Sequence, residues 1–213
     1  MIKQLLSLFI ISFLASCSIK YNPEVIPIAR ELIFGAQDIK IDSNYFANEK
    51  ASFAKIQFGR SYIIIPALTS VGDEDIAKWE TVSDEVIYTQ DGKILSVAGF
   101  DHDVFVTGFK SLKFNKDNPI KRAFNISLNN PSGFFTQNSE FIYQDQVEFL
   151  HLEDKKVNAN LFYEYVRTNG YKWAFVNKYW VDPGSGLVLK TTQKIHPRLP
   201  SITIHYYYKF SRG

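Results

Sequence analysis

The most reactive side chain in the sequence is a single cysteine near its amino terminus. Cys17 is the only cysteine among 213 residues, and the small residues Ala15 and Ser16 precede it. Residues 5–14, which follow shortly after Lys3, are apolar apart from Ser7 and Ser12. A helix that spans a bilayer needs about 20 apolar residues, so this run has the length of a signal-peptide core. The pattern predicts cleavage before Cys17.

The tetrapeptide that ends in Cys17, LASC, resembles the bacterial lipobox. In that motif the thiol receives a diacylglyceryl group and the freed amino group is then acylated. An ordinary signal peptide with a chance cysteine is the alternative. The lipid is favoured because exported proteins normally carry cysteines in pairs, and none remains here to pair with Cys17. Two or more acyl chains, such as palmitate, would anchor the chain stably.

The residue after the cysteine bears on location. Ser18 stands where enteric lipoproteins retained at the inner membrane tend to carry Asp. We therefore expect a lipid-anchored protein on the periplasmic face of the outer membrane. Residues 1–16 would be a removed signal peptide, 17–24 a tether, and 25–213 a single β-rich domain.

Composition and charge narrow the class of protein. The chain has 18 Phe, 12 Tyr and 3 Trp, a composition that favours strands. Its formal net charge is +2, and no long stripe of Lys or Arg appears, so a nucleic-acid partner is not expected.

The hydrophobic pattern predicts one helix followed by strands. Apolar residues at helical spacing indicate an amphipathic helix within residues 25–34. From residue 50 onward the period is two, and eleven segments are typical of strands. In the last of them, Ile202, Ile204 and Tyr206 would face the core while Thr203 and His205 face the other way.

The connections between the strands predict antiparallel pairing. Asp91-Gly92 and Asn169-Gly170 each fit a two-residue hairpin, and residues 182–186 fit a longer reversal. Residues 110–120 are expected to form a long surface connection. The fold class is therefore mostly β: antiparallel, coiled sheets forming a sandwich or partly open barrel, with one N-terminal helix.

Each candidate motif for catalysis or metal binding lacks a feature that the chemistry requires. Gly184-Ser185-Gly186 lies between two predicted strands, whereas a nucleophile elbow needs a strand-to-helix turn. In Asp101-His102-Asp103 only the two carboxylates could converge, and a polar loop is the simpler interpretation. The acidic groups at residues 73–75 and 84–85 could form a glycosidase pair only if the fold placed them face to face. We expect no enzyme activity, metal or cofactor.

Aromatic side chains suggest binding rather than catalysis. Aromatic faces stack on sugar rings or on acyl chains, although most rings in a β fold fill its core. The candidate residues for contact with a glycan or a protein partner are Trp79, Trp173, Tyr179 and Trp180.

Two stretches, residues 78–104 and 177–197, resemble the GfcB/YjbF family of outer-membrane lipoproteins, which is associated with group 4 capsule and exopolysaccharide secretion. The residues that match are Trp79, Ser83, Asp84, Thr89, Gly92, Lys93, Ile94 and Gly99 in the first stretch, and Tyr179, Trp180, Val181, Asp182, Gly186, Val188, Lys190 and Gln193 in the second. Residues 100–103 depart from the family's pattern, in which a leucine-proline pair often follows the closing glycine.

The resemblance implies a mostly antiparallel β fold, no enzymatic activity, and action beside other secretion components. The expected function is that of a non-catalytic accessory to capsule or exopolysaccharide secretion that binds polysaccharide or secretion proteins. Two alternatives stay open: a periplasmic carrier of lipid or lipoprotein, and a glycan-cleaving enzyme that uses the acidic clusters.

Overall fold

The computed structural model describes residues 38–100, 102–129 and 132–209 of the chain. The described helix, α1, is Ser43–Asn48, and the Asp42 side chain begins it by accepting a hydrogen bond from the Tyr45 amide at 2.7 Å. The strands are β1 Phe53–Phe58, β2 Tyr62–Ile64, β3 Ala67–Val71, β4 Ala77–Glu80, β5 Val86–Gln90, β6 Lys93–Ala98, β7 Val104–Thr107, β8 Ile120–Asn129, β9 Ser132–Leu152, β10 Lys155–Thr168, β11 Ala174–Val181, β12 Val188–Gln193 and β13 Ile202–Tyr207.

The strands form one antiparallel sheet that closes on itself. From β3 to β13 each strand pairs with the next one along the chain, and β1 pairs with both β3 and β13. Twelve of the thirteen strands therefore form a closed ring, and β2 pairs with β1 beside it. The prediction of a mostly β, antiparallel fold is confirmed. The predicted sandwich or partly open barrel was imprecise, and the structure makes it specific: the sheet is a closed barrel.

Turn chemistry determines several of the hairpins. Asp91 and Gly92 have φ of 47° and 76°, as the predicted two-residue turn between β5 and β6 requires. The predicted two-residue turn at Asn169-Gly170 is wrong: the connection spans residues 169–173, and the Thr168 amide donates to the Trp173 carbonyl. The reversal at 182–186 is as predicted.

Three parts of the strand pattern differ from the prediction. Pro66 lies between β2 and β3 and divides a segment that was expected to be one strand, since proline has no amide to donate. The short β4 was not predicted. Residues 132–146, most of β9, were also missed, because the polar residues Gln137 and Ser139 face the interior and interrupt the apolar alternation.

The main core lies inside the ring. On β13, Ile202, Ile204 and Tyr206 are fully buried, while His205 on the other face is half-buried. This confirms the predicted alternation. The helix predicted within residues 25–34 lies outside the described residues, and so does Cys17.

A second, smaller apolar cluster lies on the outer face of the ring. It consists of Ile41, Phe53, Leu152 and Tyr207, with α1 packed against it. The hairpin formed by β9 and β10 extends beyond Asn160, the last residue of β10 that pairs with β11. We call this extension, residues 147–159, the arm, and Leu152 belongs to it. The arm folds back across the outer face, and the Glu153 amide donates to the Ile41 carbonyl at 2.9 Å.

The connection before β8 enters one end of the ring. Residues 108–119 have no regular structure, as predicted, but they are not simply on the surface. Leu112 is buried, and the Phe114 ring lies 4.9 Å from that of Phe162 and 5.7 Å from that of Tyr179. The carboxylate of Asp91 holds the segment by accepting from the Leu112 amide at 2.7 Å.

Candidate functional site: an inner ion pair and an outer groove

A buried ion pair lies inside the ring. The Lys93 ammonium on β6 is 2.9 Å from both carboxylate oxygens of Glu164 on β10, and their side chains are 4% and 0% exposed. Asn177 and Tyr179, both on β11, also donate to this carboxylate, at 2.6 and 2.8 Å. The donors around the carboxylate are therefore side chains, two from the neighbouring strand β11 and one from β6, which is not adjacent to β10 in the sheet. A buried charge needs such a set of donors.

The network continues to the β5–β6 turn. Gln193 donates to the Gly92 carbonyl at 2.6 Å and accepts from the Ile94 amide at 3.1 Å. Tyr206 also donates to the Gly92 carbonyl. Burial, and then the charge of Glu164, raise the pKa of Tyr179 well above its ordinary value, so its hydroxyl remains a donor. We interpret this closed network as stabilising the fold, because no substrate reaches a carboxylate that is 0% exposed.

An open groove lies on the outer face, across β8, β9, β10 and β11. Its volume is about 930 Å³. The strand register brings side chains from the four strands into rows: Lys121 lies opposite Glu140, Glu140 opposite Tyr165, and Tyr165 opposite Val176. Tyr165 and Val176 are 42% and 43% exposed, so an aromatic ring and an aliphatic side chain face solvent side by side.

Cations border this aromatic floor. Arg167, two residues after Tyr165 on β10, is exposed and lies opposite Asn138. On the other side, Lys178 lies over the Tyr163 ring at 5.3 Å. Tyr163 and Tyr165 have ring centroids 6.3 Å apart. The groove therefore combines flat rings with positive charge, which is suited to binding sugar rings and anionic substituents.

The four aromatic residues predicted to bind a ligand lie in different places. Trp79 is 1% exposed and donates to the Thr89 hydroxyl at 2.9 Å, and Tyr179 belongs to the inner network. Trp173 is 9% exposed, with its ring 4.7 Å from that of Phe175. Trp180 is on the outer face. The structure does not bring the four together, and their role in binding stays a prediction.

Trp180 lies where the arm meets the ring. The Phe149 ring of the arm is 6.3 Å from Trp180 and 6.4 Å from His205 on β13, and His151 lies on the same face of the arm. Burial, and then Lys155, lower the pKa of His151 to about 4. Burial, and then Lys190, lower the pKa of His205 to about 3. Both imidazoles are therefore neutral at pH 7.

The positions considered for catalysis lie in turns or contact other side chains. Ser185 donates its hydroxyl to Asp182 at 2.7 Å within the β11–β12 turn, rather than to a histidine. Residues 73–75 form a short turn in which Glu74 and Asp75 have φ of 57° and 60°, and Asp84 has φ of 66° in a turn before β5. The ring of His102 stacks on that of His196 at 4.7 Å. Among the described residues, no three His, Cys, Asp or Glu side chains converge on a common point.

The groove residues were missed in the sequence, although a signal for them was present. In the segment NLFYEYVR, residues 160–167, period-two alternation puts Tyr163, Tyr165 and Arg167 on one face and Glu164 on the other. Which strands lie beside that face depends on the strand order, and the segment does not contain that information.

The chain matches the family model described as "Group 4 capsule polysaccharide lipoprotein gfcB, YjbF" over residues 28–206. It therefore belongs to this family, and the resemblance noted in the two stretches is confirmed. No curated protein sequence matches it.

Two solved structures match the chain, and the first is similar to it in fold. The hypothetical lipoprotein YmcC of Escherichia coli K12 superposes with a TM-score of 0.68 at 17% identity, over 86% of this chain and 95% of that one. A "putative lipoprotein" of Parabacteroides distasonis has a TM-score of 0.35 at 10% identity, over 81% and 99%. In the part of the chain that the structure describes, no helix is both long enough and apolar enough to cross a bilayer.

Proposed function

We propose that this protein is a non-catalytic, lipid-anchored accessory of capsule or exopolysaccharide secretion that binds polysaccharide in its outer groove. The observation that carries the proposal is the 930 Å³ groove with exposed Tyr165 on its floor, in a chain that belongs to a family of capsule polysaccharide lipoproteins. A ring that is 42% exposed on a rigid strand offers a flat apolar face on which a sugar can stack.

The site has the form of a binding surface rather than of an active site. Its one carboxylate, Glu140, is 3.6 Å from the Lys121 ammonium and lies beside Tyr165 on the sheet. A glycosidase needs two carboxyl groups on opposite sides of the scissile bond. The groove among residues 121–176 offers Glu140 alone, which supports binding without cleavage.

The interior of the ring supports the accessory function over the carrier alternative. A carrier of acyl chains needs an apolar space inside the fold. Here the middle of the ring is occupied by large buried side chains, among them Phe141, Phe162 and Tyr206, and by the Lys93–Glu164 pair. Opening that space would expose the ion pair to lipid, which is unfavourable.

The anchor and its location complete the proposal. Acylation of Cys17 at the mature amino terminus would hold the domain at the periplasmic face of the outer membrane. Cells grown with a clickable fatty acid test this: wild-type protein should be labelled and should sediment with outer membranes, whereas Cys17→Ser should be unlabelled and released. Labelled Cys17→Ser protein would refute the anchor.

Binding of the purified chain to the extracellular polysaccharide of its source bacterium tests the groove. We expect Tyr165→Ala to weaken binding by about 1 kcal/mol, or about fivefold, because a stacking face is lost. Tyr62→Ala is the matched control, since Tyr62 is 38% exposed and lies on β2 rather than in the groove. Equal affinity of Tyr165→Ala and wild type, with both folded, would contradict the proposal.

A further inference from the structure

The charges of the groove indicate which kind of polysaccharide it would bind. Three cations, Lys121, Arg167 and Lys178, lie on the outer positions of β8, β10 and β11, against one carboxylate, Glu140. Glu140 is already close to Lys121 at 3.6 Å. Among the described residues, neither Arg167 nor Lys178 has a carboxylate within salt-bridge distance.

Arg167 is available to a ligand. It is exposed, and its guanidinium makes no hydrogen bond or ion pair with any residue that the structure describes. Its neighbours across the sheet, Asn138 and Ala174, are short and uncharged. The planar guanidinium can donate two parallel hydrogen bonds to the two oxygens of a carboxylate, so arginine is well suited to binding this group.

Lys178 offers a second cation on the same face. Arg167 lies opposite Asn138 and Lys178 lies opposite Tyr163, which in turn pairs with Ile142. The β9 residues level with the two cations, Asn138 and Ile142, are four residues apart. At 3.3 Å per residue, the two cations are therefore separated by about 13 Å along the strand direction. The stacking residue Tyr165 occupies the row between them. The two cations therefore flank the exposed Tyr165 ring along the outer face.

The outer face continues beyond the groove as an extended track. Along β9, the outward side chains from Phe134 to Ile142 span eight residues, or about 26 Å. Phe134 is 68% exposed, and Phe105 on β7, two strands away in the same row, is 56% exposed. A track of this length fits several sugar units of an extended chain rather than a single small molecule.

We propose that the groove binds an extended acidic polysaccharide, whose carboxylates pair with Arg167 and Lys178 while a sugar ring stacks on Tyr165. This inference rests on the proposed function and adds the chemical class of the ligand. A neutral glycan would leave both cations without a carboxylate partner, whereas a chain with regularly spaced carboxylates would neutralise them.

The test compares two forms of the same polymer. The extracellular polysaccharide of the source bacterium is used in its native form and after carboxyl reduction, which replaces each carboxylate by a hydroxymethyl group and keeps the sugar backbone. Affinity for the purified full chain is measured by isothermal titration calorimetry. We expect the native form to bind at least about tenfold more tightly, and a rise in salt from about 50 to 500 mM to weaken only that form.

Variants locate the effect. Arg167→Gln should weaken binding of the native polymer about five- to tenfold and leave binding of the reduced polymer unchanged. Arg60→Gln is the matched control: it removes the same charge from an exposed position in the β1–β2 turn and should change neither affinity.

The outcomes separate the two claims. Equal binding of both polymer forms, or an Arg167→Gln variant that is folded and binds the native form as wild type does, overturns the acidic ligand and leaves the proposed function standing. If neither polymer form binds the wild-type chain, the proposed function itself fails.

Discussion

The ion pair inside the ring allows a quantitative prediction. Two unit charges 2.9 Å apart attract by about 6 kcal/mol at an effective dielectric constant of about 20. Desolvation of both groups offsets much of this attraction. Removing one partner, however, leaves the other charge buried and uncompensated, at a cost of about 3–5 kcal/mol. We therefore expect Lys93→Met and Glu164→Gln each to lower the free energy of unfolding by about 3–5 kcal/mol.

The double variant separates the ion pair from the rest of the network. In Lys93→Met/Glu164→Gln the amide oxygen of the new glutamine still accepts from Asn177 and Tyr179, and no unpaired charge remains. We expect a total cost of about 1–2 kcal/mol, much less than the sum of the two single effects. A coupling of several kcal/mol is the signature of a desolvated pair.

The assay is urea unfolding followed by tryptophan fluorescence, with unchanged m-values required for comparison. Lys156 and Glu148 on the arm provide the control: their charged atoms are also 2.9 Å apart, but their side chains are 61% and 55% exposed. The same cycle there should give a coupling below about 1 kcal/mol. Single effects below about 1 kcal/mol at Lys93 and Glu164 would refute the reasoning.

Two further predictions concern the arm and a turn. His151 and His205 have lowered pKa values in the folded chain, so the unfolded chain binds more protons as pH falls below about 6.5. Stability should fall by a few kcal/mol between pH 7 and about 4, and His205→Gln should flatten that slope in urea titrations; a parallel slope would contradict it. At Gly92, with φ of 76°, an added Cβ would lie 2.6 Å from Val188. Gly92→Ala should therefore lower the melting temperature by several degrees, as scanning calorimetry can measure, and an unchanged value would contradict the tight contact.

The family stretches have a physical explanation in the inner network. Lys93 and Gly92 lie in the first stretch, and Tyr179 and Gln193 lie in the second. The structure brings all four together at the Glu164 carboxylate and the Gly92 carbonyl. Two stretches that look unrelated along the chain thus share one buried network.

Local patterns in the sequence were sufficient to predict much of the fold. The alternation on β13 and the Asp91-Gly92 turn depend on residues that are neighbours along the chain. The prediction failed where the pattern is interrupted by tertiary demands. Gln137 is buried at an inward position of β9, so a polar residue stands where the alternating pattern of a strand requires an apolar one. Phe114 packs inside the ring, although the sequence of its segment is typical of a surface loop.

What the sequence by itself determined is the class of protein: a candidate lipidation site at Cys17, a β-rich domain, and a family. Only the tertiary structure decided where the chemistry lies. Closure of the ring put the opposite charges of Lys93 and Glu164, 71 residues apart, inside the barrel. The successive pairing of β8 with β9, β9 with β10, and β10 with β11 made a groove around Tyr165. Both depend on register between distant strands, which no local pattern specifies, because a slip of one residue would send every side chain to the opposite face.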